Sequence, residues 1–103
     1  MKVIFIAGSP ERRSNFFSLL TTTLDCHNID HENDSTHVAI HSALSARRSA
    51  RDLRVFLVPQ TGVQEFATFQ RHFPGELLGV NADEFLTDSD ALYFINTTVL
   101  NQV

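Results

Sequence analysis

The stretch KVIFIAGSPERRSNFFSLL, residues 2–20, decides how the rest of the chain is read. Val3 to Ala7 is an unbroken apolar run of strand length, the pattern of a central strand buried on both faces. Gly8-Ser9-Pro10 stops it. Beyond the turn, Phe16, Phe17, Leu19, Leu20 and Leu24 recur at helical spacing, which predicts an amphipathic helix over about 12–25 that packs on the strand.

The turn itself has two readings. In one, Ser9 caps the helix, Pro10 takes its first position, Glu11 suits the positive end of the dipole, and nothing binds. In the other, the unpaired amides of the helix N-terminus hold a phosphate. Gly8 then lets the backbone approach, Ser9, Ser14 and Asn15 supply hydrogen bonds, and Arg12 or Arg13 supplies charge. No Gly-Lys-Ser/Thr closes a Walker loop, and no G-x-G-x-x-G is present.

Working outward, strands and helices alternate. Strands are expected at 36–41, where Val38 and Ile40 alternate with His37, Ala39 and His41, and at 53–58, ended by Pro59. A helix over 43–52 separates them. Thr61-Gly62-Val63-Gln64 has capping-box spacing and opens a helix over 62–73, which carries Phe66, Phe69 and Phe73 and stops at Pro74-Gly75. A strand at 76–80, a short helix at 82–88 capped by Asn81, and a last strand at 91–100 complete the series. Such alternation implies an α/β fold, a small three-layer sandwich with a mostly parallel sheet of four or five strands. Ligands bind beyond the carboxyl ends of such strands, where the opening turn lies.

The opening resembles the first loop of the NAD(P)H-dependent FMN reductases, a flavodoxin-like family whose chains often begin with a strand and then G-S-P-R-x-x-S-N before a Leu-rich helix. Here the residues are Gly8-Ser9-Pro10-Glu11-Arg12-Arg13-Ser14-Asn15, then Leu19-Leu20. The resemblance implies a flavodoxin-like or Rossmann-like sheet, FMN as cofactor, its phosphate held by Ser9, Ser14 and Asn15, and, for an enzyme, NAD(P)H-dependent flavin oxidoreductase activity. Two departures stand out: Glu11 replaces the usual Arg, and Asn96-Thr97-Thr98 stands where the family has Pro-x-Tyr after its later strand, here matched loosely by DSDALYFINTTVL (88–100).

Composition bounds the alternatives. At 103 residues, 43% of them hydrophobic and nine of them Phe, the chain forms one domain over 1–103. No apolar run approaches a membrane span, and the five-residue run at the start is too short for a signal peptide. Cys26, the single cysteine, cannot form an internal disulfide, so a reducing, cytoplasmic setting is expected. A net charge of −4 argues against a dedicated nucleic-acid binder. The charge is uneven: Arg47, Arg48, Arg51 and Arg54 cluster, while 76–90 holds five acids and no Lys or Arg. These two segments could pair across a homodimer.

Cys26, His27, His31, His37 and His41 lie among Asp30, Glu32 and Asp34, ligand types that suit zinc. Along a strand, however, four residues span about 13 Å, too far for His37 and His41 to share an ion. A solvated loop with no metal is the expectation. Three functional classes stay open: an FMN-binding reductase, a small homodimeric interaction domain, and a shortened Rossmann-like enzyme acting on nucleotides or nucleosides.

Overall fold

A computed structural model describes residues 2–33, Ser45, 55–58 and 63–103. Strand β1 (Lys2–Ala7) is central, with Val3, Ile4, Phe5 and Ile6 all buried. Its alternation feeds two cores. Ile4 and Ile6 join Phe16, Leu20 and Leu24 of helix α1 (Pro10–Cys26), while Val3 and Phe5 join Phe69 and Phe73 on the opposite face. Burial of this kind is the dominant favourable contribution to folding.

Helix α1 spans two residues more at its start than the periodicity indicates, because Pro10 takes its first position. It ends in a Schellman motif: Asn28 adopts φ 55°, its amide donates to the Asp25 carbonyl, and the Ile29 amide donates to the Leu24 carbonyl at 3.0 Å. Ile29 packs against the Leu24 core. The stretch expected to be a polar loop therefore contains a cap and then strand β2 (His31–Asn33). This strand is polar because it lies at the sheet edge, so it has no apolar run to announce it. The expected strand at 36–41 lies outside the described residues, as does the 43–52 helix apart from Ser45, which is helical.

Strand β3 (Val55–Val58) pairs with β1 and β2, and strand β4 (Leu77–Asn81) pairs with the other side of β1. Among the described residues all pairings are parallel, giving a four-stranded sheet in the order β2-β3-β1-β4. The α/β class with a parallel sheet is as the sequence indicates. The order itself differs from flavodoxin-like and Rossmann sheets, in which the strand after the first helix pairs directly with β1; here, among the described residues, β3 lies between them.

Helix α2 (Val63–His72) covers the Phe5 face. Phe5 meets Phe66 edge-on at 5.5 Å and Phe69 at 5.8 Å, and Phe69 stacks on Phe73 at 5.9 Å. Thr61 and Gly62 of the expected capping box are outside the described residues.

The final third corrects two expectations. The helix expected at 82–88 is a single 3₁₀ turn, Ala82–Glu84, after which Phe85 is extended. Asn81 caps this turn by accepting the Asp83 amide at 3.1 Å. The strand expected at 91–100 is helix: α3 (Asp88–Phe94) continues through a π-helical stretch, Ile95–Val99, into Leu100–Gln102. Ala91, Ile95 and Val99 are buried at helical spacing against the α1 core, and that packing overrides the β preference of Ile95, Thr97, Thr98 and Val99. Helices α1 and α3 thus share one face and α2 takes the other, completing three layers.

Candidate functional site

The site begins with a glycine. Gly8 adopts φ 125°, a conformation that side-chain-bearing residues rarely adopt. A Cβ there would lie 3.2 Å from the Asp83 amide nitrogen and 3.3 Å from Ala82. The turn after β1 is therefore pressed against the chain leaving β4.

Asp83 fills the position at the head of α1. Its carboxylate accepts the Ser9 amide at 3.0 and 3.1 Å and the Ser9 hydroxyl at 2.8 Å. Ser9 occupies the N-cap position, but its hydroxyl is turned to Asp83 and makes no cap bond of its own. The amide and hydroxyl of Ser9, with help from the charges of Arg12 and Arg13, hold the Asp83 carboxyl below its ordinary pKa.

The neighbouring residues extend this clasp. Arg12 donates to the Phe85 carbonyl at 2.5 Å, Arg13 to the Gly8 carbonyl at 2.8 Å, and the Asn15 amide to Asp88 at 2.7 Å. Of the six residues singled out in the sequence, Gly8, Ser9, Arg12, Arg13 and Asn15 thus bind other parts of the chain. Ser14 makes no side-chain hydrogen bond among the described residues. Pro10 has no N–H and the Arg13 amide bonds the Ser9 carbonyl at 2.8 Å, which leaves the Glu11 and Arg12 amides as the first-turn donors.

Between the head of α1 and residues 85–91 lies an open cleft of about 650 Å³. Ser9, Arg12, Ser14 and Asn15 line one side, with Phe85 and Asp88 on the other. Its size falls within the range of small-molecule sites. Phe16 and Phe85 stack at 5.3 Å beneath it, and Phe94 closes on Phe85 at 5.0 Å. Leu86, at the cleft, is 76% exposed.

Nothing in the sequence marks Asp83, Phe85 and Asp88 as site residues: the acids of 76–90 read there only as a charged segment, and no local pattern ties any of the three to the β1–α1 turn. Asp83 does cap a helix, but one 74 residues away in sequence from its own position. At the other end of α1, His31 Nε2 lies 2.8 Å from Asp25, while Cys26 and His27 are exposed. His37, His41 and the Arg47 to Arg54 cluster lie outside the described residues. Among the described residues, no helix is long and apolar enough to cross a membrane.

Fold and cleft together define a small α/β domain with a parallel sheet and a cleft beside its first strand–helix turn. No protein-family model, curated protein or solved structure matches the chain.

Proposed function

We propose that the chain binds a phosphate-bearing small molecule at the carboxyl end of its sheet, a nucleotide ahead of FMN. The observation that carries this reading is the open cleft beside the β1–α1 turn, lined by Ser9, Arg12, Ser14 and Asn15. Parallel sheets offer their ligand crevices at that end. The donors open to a phosphate are the Ser14 hydroxyl, the Glu11 and Arg12 amides and the remaining N–H groups of Arg12. Ser9 joins them only when Asp83 moves aside.

One feature favours a nucleotide over FMN: Asn96-Thr97-Thr98, where the resemblance would put a flavin-ring loop, are helical. If FMN is nonetheless the ligand, the activity is that of an NAD(P)H-dependent flavin oxidoreductase, with the protein positioning the ring.

Thermal melts with adenosine monophosphate and with FMN test the proposal. Ligand at a hundred times its dissociation constant adds about 2.7 kcal/mol of stability. A shift with the nucleotide that Ser14→Ala removes is the expected outcome. Yellow protein and a shift with FMN alone would select the flavin reading, and no shift with either ligand would reject a phosphate site here.

A homodimeric interaction domain is the second reading, favoured by two large apolar side chains left in solvent on the 86–93 segment, Leu86 and Tyr93, 76% and 73% exposed. The mass of the protein in solution tests it.

A further inference from the structure

We infer that the cleft selects for low negative charge and takes a nucleoside monophosphate in preference to a triphosphate, an inference that rests on the nucleotide reading above. Glu11 and Asp88 are the acids of its lining and Arg12 the base, so the cleft wall carries a net negative charge at neutral pH. Both nearby guanidinium groups are tied to backbone, Arg12 to the Phe85 carbonyl and Arg13 to that of Gly8. The Ser9 amide and hydroxyl, which would otherwise meet an anion, are held by the Asp83 carboxylate.

Beyond the remaining N–H groups of Arg12, what the cleft offers is apolar wall and neutral polar groups. Phe85, Leu86 and Ala91 can cover a base, and the Ser14 and Thr87 hydroxyls can serve a sugar or a single phosphate. Each phosphate beyond the first adds charge to a space that is already negative. Two further negative charges about 8 Å from one uncompensated carboxylate weaken binding roughly fivefold in water. Salt screens such a penalty over about 10 Å at 0.1 M.

Calorimetric titration of the intact chain with adenosine monophosphate and adenosine triphosphate tests this. A chelator is needed, because a divalent cation would neutralise the triphosphate. The expected result is monophosphate binding roughly fivefold tighter at low salt, with a gap that narrows at high salt and in Glu11→Gln. Glu11 is exposed on the first turn of α1, so the variant retains the fold. Triphosphate binding as tight as or tighter than monophosphate would overturn the inference and leave the nucleotide reading standing. Binding of neither nucleotide would overturn both.

Discussion

At the scale of single residues, Asp83 does the work the sequence assigns to Ser9. A Ser at the N-cap position ordinarily accepts an amide of its own helix. Here the Ser9 hydroxyl donates to Asp83, whose carboxylate also takes the Ser9 amide and places a negative charge at the positive end of α1. The consequence for pH follows from the lowered pKa. A carboxyl whose folded value is depressed contributes stability above its unfolded value and loses it as pH falls through the folded value. Asp83→Asn should therefore melt at lower temperature than the parent at neutral pH, and the two melting curves should converge as pH falls below about 4. An unchanged difference down to pH 2 would mean that the Asp83 charge does not hold the clasp.

At the scale of elements, α3 shows how capping and burial outweigh residue preference. Thr87 accepts the Asp90 amide at 3.2 Å, and Asp88 and Asp90 occupy the first turn. The spacing Thr87 to Asp90 is itself a helix-start signature, although the β-branched residues that follow favour a strand. Inside the helix, Thr97 returns its hydroxyl to the Tyr93 carbonyl at 2.7 Å and Asn96 its amide to Leu92 at 2.9 Å. Polar side chains that would suit a strand thus bond to carbonyls one turn back. Removing the cap with Thr87→Ala should cost about 1 kcal/mol, measured by denaturant unfolding, with helical content lost first at the start of α3. A loss near zero would assign the helix start to packing of Ala91 alone.

For the whole molecule, the layers fit through a glycine on β4. A Cβ on Gly79 would lie 2.7 Å from the Phe66 ring of α2, and Phe66 in turn meets Phe5 of β1 edge-on. The spacing between sheet and helix is thus set by a residue with no side chain. Gly79→Ala should destabilise the protein by about 1–3 kcal/mol through overpacking. Adding Phe66→Leu should recover part of that loss, because residues in contact are energetically coupled. Additive losses in the double variant would show that the two positions do not constrain each other.

β1, α1, α2 and β4, and with them the α/β class, are legible in the residues alone, because each carries its own apolar period or run and its own punctuation at Gly8-Ser9-Pro10 or Pro74-Gly75. The sequence could not reveal β2, whose residues His31, Glu32 and Asn33 are polar and are strand only because β3 lies beside them. Nor could it determine that the 91–100 run is helical, since Ile95 and Val99 satisfy either period and only the α1 face they bury against chooses between them. The clasp belonged wholly to the tertiary structure. Asp83, Phe85 and Asp88 meet Ser9, Arg12 and Asn15 across more than 70 residues of sequence. Parallel pairing of β1 with β4 aligns the ends of those strands and so brings the two turns together; a local pattern carries no record of that distance.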